Sequence, residues 1–348
     1  MQDSTRTQLF AAALLVLQPW AAVADDYATR RDITERGLQY LFSVQKDGAL
    51  GESRQKTVTA LFILSCLSSG ILPADEQYGT RVTAACEWLI DNSSADFFGG
   101  REQPHADHAV AALAITELIG TAADSDRNRK LYEQAAKALA YSLSIQSKGI
   151  DADYYGGWRP NVATRVNDRV LTGWFLLQLR SGRICGMKAP KSNVSRAVAF
   201  VEASQKRQTQ KVDELGGFSV DAQGLPVLSA TAAGMAVLAF FDPDDNGVTM
   251  ARDWLIRHPP RWYGPNFFES HFFAVRGLYR ARHPDRAKAF NQYFSRLLQL
   301  LKERQEPDGS VPFPPGHGGP LLAMGKSYST AMAVLILNVD RGILPVDN

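Results

Sequence analysis

The chain has 348 residues, is 45% hydrophobic and carries a formal charge of +2, a composition that suits a globular fold with a sizeable core. Near-neutral charge and the absence of a long Lys/Arg cluster exclude a nucleic-acid surface that tracks phosphates. Three cysteines, Cys66, Cys86 and Cys185, leave at least one thiol over and form no Cys-x-x-Cys, so neither a disulfide framework nor a zinc ribbon is expected.

The first element is a leader. Arg6 precedes an apolar run from Leu9 to Leu17, and Ala22-Val23-Ala24 has the small-x-small form of a cleavage site. The run is far shorter than the ~20 residues that span a bilayer, and Gln18 and Pro19 interrupt it. Residues 1–24 therefore read as a signal peptide, with an uncleaved anchor as the alternative. The rest, 25–348, reads as one exported domain, periplasmic or secreted, with no transmembrane segment after cleavage.

From Ile33 onward the chain repeats itself. Unit one is ITERGLQYLFSVQKDGALGES followed by TVTALFILSCLSSG. Leu38, Leu41 and Phe42 share a helical face, Asp47-Gly48 marks a turn, and the second helix is apolar nearly all round, hence buried on most sides. Unit two is VTAACEWLIDN, then DHAVAALAITELIG. Unit three is YEQAAKALAYSLSIQSKGIDADYYGGWRP, then NDRVLTGWFLLQL. Unit four is VSRAVAFVEASQ, then SATAAGMAVLAFF. Unit five is MARDWLIRHPPRW, then ESHFFAVRGLYRA. Unit six is FNQYFSRLLQLLKERQEPDGSVPF, then KSYSTAMAVLILN. A period of about 50 residues with two helices per unit means a solenoid or a closed ring. The first helices carry charges such as Glu35, Lys137 and Arg296, whereas the second are poor in charge. The expected fold is all-α, an (α/α)6 toroid with the second helices inside; an open, gently curved solenoid is the alternative.

The stretches LQYLFSVQKDGALGE, LAYSLSIQSKGIDADYYGGW and LLQLLKERQEPDGSVPF resemble the QW-type repeats of squalene–hopene cyclases and protein prenyltransferase β-subunits. With the tail YSTAMAVLILNVDRGILP, the chain is most similar to secreted bacterial prenyltransferase/squalene oxidase repeat-containing proteins of the terpenoid cyclase-like α/α-toroid superfamily. The resemblance implies inner helices around a central cavity. It does not carry prenyl transfer or cyclisation with it: Leu50 and Val311 stand where an aromatic is usual, no Asp-x-Cys zinc step precedes a His-bearing helix, and no Cys-Gly-Glu-Gln thioester motif occurs.

Three constellations offer chemistry. Asp242-Pro243-Asp244-Asp245 matches the D-x-D-D acid of class II terpene cyclases, but it follows an inner helix instead of opening one. Asp242, Asp244, Asn246 and Asp253 also fit the ligand spacing of a structural calcium loop, against a plain helix-capping acidic turn. The third is a ring at the starts of the inner helices, His108, Asp168 and His271, which could act as acid and base or hold zinc with one position open. Against it, Asp at a helix start is a cap, and each His can be a hydrogen-bonded core residue paired with Asp107 or Glu269. Ser229, Tyr328 and Ser329 lie at matching helix starts, and Trp174 and Phe272 are expected to line the cavity as substrate-binding residues, whereas Trp158 and Trp262 fasten helices. His317 is expected in an exposed loop.

The functional expectation is an enzyme, lyase- or hydrolase-like or else terpenoid-cyclase- or transferase-like, acting on an extended glycan or isoprenoid-like substrate. The alternative is a non-catalytic envelope protein that holds a small-molecule, glycan or lipid-like ligand. Zinc and structural calcium are the cofactor candidates.

Overall fold

The computed structural model describes residues 26–347 except 95, 123, 149–154, 222, 282–284 and 317. Its elements are α1 over 26–44, α2 (Gln55–Ser68), α3 (Gly79–Asp91), α4 (Pro104–Glu117), α5 (Ser125–Ser144), α6 (Arg169–Ile184), α7 (Lys191–Glu202), α8 (Leu228–Phe241), α9 (Asn246–Arg257), α10 (Phe267–Arg280), α11 (Arg286–Arg304) and α12 (Gly325–Leu337). Among the described residues there is no strand, only isolated bridges in the loops. The even-numbered helices form a closed inner ring: α2 packs on α4, then α6, α8, α10 and α12 in turn, and α12 returns to α2. The odd-numbered helices lie outside them. This is the expected toroid, closed.

Sequence pattern decides which helix goes where. Helix α8 carries no charge, and every residue from Ala230 to Phe240 is buried, as a helix enclosed on all sides requires. Helix α5 buries only Leu131, Ala135, Ala138, Leu139 and Ser142, one stripe at helical spacing. Small residues set the closest approach. A Cβ on Gly277 of α10 would stand 3.0 Å from the Ala236 nitrogen of α8, so those two helices meet nearly backbone to backbone.

The repeats are joined by a recurring clasp. At the end of α1, α5, α7 and α11, the Nε2 of Gln45, Gln146, Gln205 and Gln305 donates twice. One bond goes to the carbonyl of a glycine in the following turn (Gly48, Gly156, Gly216, Gly309). The other goes to a carbonyl on the next outer helix or just before it (Arg81, Asn193, Gly247, Ile33), all at 2.7–3.2 Å. Gln305 reaches Ile33 of α1, so the same clasp that joins neighbours also closes the ring. A second tie follows in the same four units. The N–H of Leu50, Trp158, Phe218 and Val311 donates to the Oγ1 of Thr59, Thr172, Thr231 and Thr330 on the unit's own inner helix, at 2.9–3.1 Å.

The end of the ring where the inner helices finish is plugged by the C-terminal segment. Arg276 makes a buried two-pronged ion pair with Asp347 at 3.0 and 3.2 Å. Beside it, Glu117 accepts hydrogen bonds from the Ser181 hydroxyl and the Val346 N–H. Burial pushes the Glu117 carboxyl up to about 7. An acid whose folded pKa exceeds its unfolded value loses stability as pH rises between the two, here from about 4.5 to about 7. Glu117→Gln reproduces the protonated form. It is expected to flatten the fall in stability between pH 5 and pH 7.5 by on the order of 3 kcal/mol, read by urea unfolding at both pH values against the unaltered protein.

Candidate functional site

The inner helices run parallel, so their N-termini converge on one mouth, where unpaired N–H groups and positive dipole ends collect. A cavity of about 360 Å³ opens there, lined by residues at the starts of all six inner helices and by the loops before them. Asp168, Trp174, Ser229 and Tyr328 line it, as expected from sequence, and so do Arg54, Thr57 and Glu269. The backbone is strained at two of its corners: Arg54 and Asn266, immediately before α2 and α10, both adopt left-handed conformations with φ of 46° and 56°, uncommon for residues with a side chain and concentrated at functional sites.

Two carboxyls face this space in different settings. Asp168 caps α6, accepting the Leu171 N–H at 2.9 Å. Burial raises its pKa, while the Leu171 and Val170 N–H groups hold it down. Glu269, in the first turn of α10, has the Trp174 indole N–H at 3.4 Å. Burial raises its pKa, the nearby Asp168 raises it further, and the Arg54 guanidinium opposes both. Arg54 is itself clamped: its Nη2 and Nε lie 2.7 and 2.8 Å from Asp107 Oδ1, whose other ties are the Thr57 hydroxyl at 2.6 Å and the Gly100 N–H at 3.1 Å. Asp107 is thus a positioning residue for Arg54 and not a partner of His108. The Tyr328 hydroxyl is buried in the wall with no hydrogen-bond partner among the described residues. The Trp174 ring stacks on Phe272 with centroids 4.5 Å apart, and the Arg276 guanidinium lies 3.8 Å from the Phe272 centroid. Trp174 is the floor; Phe272 supports it from below and does not itself line the cavity.

His108 and His271 do not belong to this site. His108 Nδ1 accepts the Phe98 N–H at 3.1 Å, and its Nε2 meets Ser142 Oγ at 3.0 Å and the Ala138 carbonyl at 3.2 Å, both on α5. Its Nδ1 takes over, in unit two, the task that Thr59, Thr172, Thr231 and Thr330 perform elsewhere. His271 holds the corresponding place on α10 and bonds Tyr293 Oη on α11 at 2.9 Å. Both rings therefore face outer helices. Burial pushes both imidazoles down to about 3, so they are neutral at physiological pH. The recurrence of histidine at equivalent helix starts is the recurrence of a structural position. His108→Ala is expected to cost about 2–4 kcal/mol in urea unfolding, while ligand affinity at the mouth cavity, measured calorimetrically, stays unchanged.

The zinc reading of His108, Asp168 and His271 is corrected accordingly: among the described residues no three His, Cys, Asp or Glu gather to hold a metal. The same finding removes calcium. Helix α9 begins at Asn246, so the fifth position of the supposed loop is already helical and the chain cannot wrap a cation. Asp245 caps that helix through the Gly247 N–H at 2.6 Å and pairs with Arg207, and Asp253 pairs with Arg252. Asp242 and Asp244 lie in the α8–α9 connection, at the opposite end of the ring from the cavity, where no cyclase acid could act. Ser329 is buried and donates to the Val311 carbonyl, outside the cavity lining. Trp158 is buried and donates to the Ser142 carbonyl at 2.8 Å, as a fastening residue does. His317 and the leader lie outside the described residues.

No sequence family matches the chain, and no curated protein is similar to it in sequence. Solved structures are similar in fold. An inactive double Asp→Asn variant of the GH76 α-1,6-mannanase of Salegentibacter sp. HEL1_6, in complex with α-1,6-mannotriose, superposes with a TM-score of 0.58 at 11% identity, over 88% of this chain and 98% of that one. A GH76 α-mannanase of Bacteroides thetaiotaomicron does so with a TM-score of 0.57 at 12% identity, over 90% and 96%. At such identity the likeness is one of architecture: this chain has the all-helical toroid fold that those glycoside hydrolases also use.

Proposed function

We propose that the chain is an exported enzyme that hydrolyses a glycosidic bond in the mouth cavity, with Glu269 as general acid and Asp168 as the carboxylate that activates water. The observation that carries this is the pair itself: two carboxyls face one cavity, both raised by burial but with different partners, a helix N-terminus for Asp168 and Arg54 and Trp174 for Glu269, and a pair of carboxyls in unlike surroundings is what acid/base division uses. Glu269 has little to stabilise its anion beyond Arg54 and suits the protonated role; Asp168, held by helix N–H groups, suits the ionised one. Glu269 gives its proton to the glycosidic oxygen as the C–O bond breaks. A water adds its oxygen to the sugar carbon and passes its proton to Asp168. Trp174 offers a flat ring for a sugar face, and the Tyr328 hydroxyl a bond for a ligand hydroxyl.

An isoprenoid-like substrate, implied by the repeat resemblance, fits the same toroid. A cavity edged by Arg54, Asp168 and Glu269 favours a polyhydroxylated ligand over a hydrocarbon. Export rests on the leader motif; among the described residues no helix is long and apolar enough to cross a membrane. A non-catalytic glycan-binding protein is the second reading, favoured by the capping duty that already occupies Asp168.

The test sets the unaltered protein beside Glu269→Gln and Asp168→Asn on α-1,6-mannan oligosaccharides and a panel of other polysaccharides, reading both reducing-end release and calorimetric binding. Release by the unaltered protein, with binding but no release by Glu269→Gln, supports hydrolysis. Binding without release in all three selects the second reading. Release that persists in Glu269→Gln rejects the assignment.

A further inference from the structure

We infer that the mouth face docks on an anionic lipid surface along one side. A group of exposed large apolar side chains sits in the loops around the mouth: Val162, Val166, Val220, Leu225, Tyr263 and Leu322, with Val162 80%, Tyr263 69% and Leu225 68% exposed. Of the others, Tyr155, Val212 and Val227 lie in the same connections of units three and four, whereas Tyr27, Leu72, Tyr132 and Ile184 are scattered singly, which is ordinary for a surface. The six belong to the loops of units three to six, which are consecutive around the ring. The loops of units one and two carry none among the described residues. The apolar tips therefore form an arc around part of the mouth and leave the remainder polar.

The arc is one continuous surface. Pro160, Val220, Asn266 and Leu321, one from each of those four loops, line the same cavity. Arg169 donates to the Val220 carbonyl, tying unit three to the loop of unit four. The Gly264 N–H donates to the Pro315 carbonyl at 3.0 Å, tying the loop of unit five to that of unit six.

Charge selects the occupant. The stretch from Tyr155 to Asn167 contains Arg159 and Arg165 and no acid, and the stretch from His258 to Phe268 contains Arg261 and no acid. The loop of unit four is mixed in charge: Asp213, Glu214 and Asp221 stand with Lys206, Arg207 and Lys211, Glu214 paired with Lys211 and Asp221 accepting the N–H groups of Gln223 and Gly224, so the basic excess of the arc lies in the loops of units three and five. Aliphatic tips on separate loops, interleaved with arginines, suit the headgroup and upper acyl region of a bilayer, where apolar side chains insert and arginines meet anionic headgroups. Docked along this arc, the cavity opens at the lipid surface on one side, while the polar side at units one and two stays open to water.

The experiment is co-sedimentation of the purified full chain with vesicles of phosphatidylglycerol and, separately, of phosphatidylcholine. It compares the unaltered protein with the triple variant Val162→Asn/Leu225→Asn/Leu322→Asn and the double variant Arg165→Gln/Arg261→Gln. All three carry the same N-terminal segment, so differences between them read the arc alone. The triple variant is expected to bind phosphatidylglycerol vesicles about a hundredfold more weakly, and the double variant roughly thirtyfold more weakly with a shallower salt dependence. The substituted side chains are exposed, so thermal unfolding of the variants should match the unaltered protein. An unaltered protein that ignores both vesicles, or a triple variant that sediments as the unaltered protein does, overturns the inference. The assay reads no turnover, so its outcome is independent of the hydrolase reading.

Discussion

Glu269→Gln is expected to lower turnover by about 10²–10⁴-fold while leaving substrate affinity close to that of the unaltered protein. The amide matches the acid in shape and keeps the contact with Trp174, but it cannot give up a proton to a leaving oxygen. The loss should appear in kcat and in kcat/KM together, the mark of an interaction made in the transition state. The pH profile carries a second, more specific expectation. The rate should fall on the alkaline side as Glu269 ionises. Arg54 holds the Glu269 pKa down, so Arg54→Gln should move that alkaline limb to higher pH. A purely structural role for Arg54 would lower activity without moving the limb. An alkaline limb that persists unchanged in the residual activity of Glu269→Gln would remove Glu269 as the titrating acid.

The largest effect on stability is expected at the clasp glycines, and Gly216→Ala is the sharpest case. Gly216 has φ of 87°, and a Cβ there would lie 2.1 Å from the Met250 carbonyl oxygen on α9. The clash is with backbone, so no side chain can rotate away. Relief requires α9 to move off the turn, which breaks the bond from Gln205 to the Gly247 carbonyl at 2.7 Å and the bond from the Trp254 indole to the Asp213 carbonyl at 2.8 Å. Together with the left-handed strain, a cost of about 4–5 kcal/mol is expected. Gly186→Ala is the control. Its φ of 81° is as unfavourable, yet nothing stands within 4 Å of the added Cβ, so only the conformational strain of about 1–2 kcal/mol is expected. Urea unfolding of the two variants should separate them by at least 2 kcal/mol. Equal costs would mean that the turn and α9 are not held together as described.

Architecture was legible in the sequence because it rests on periodicity. Charge-poor second helices and striped first helices dictate which set is enclosed, and six such hairpins close into a ring whose inner N-termini meet at one mouth. The cavity residues Asp168, Ser229 and Tyr328 followed from their places at inner-helix starts, and Trp174 from the clustering of aromatics near the same loops. What only the tertiary structure decided is the direction in which each of those helix starts points its side chains. His271 and Glu269 are two residues apart, about 200° around a helix, so if one faces the outer layer the other faces the axis. The spacing alone could not say which, and the sequence drew attention to the histidine. The packing of α10 against α11 turns His271 onto Tyr293 and leaves Glu269 to the cavity. Likewise the recurrence of His108 and His271 was visible, but its meaning depended on seeing that the threonines of the other units bond the same loop N–H that His108 bonds. Local sequence set the helices, their order and their caps; the contact between one turn and the next outer helix set which polar groups were used up by the fold and which remained for a ligand.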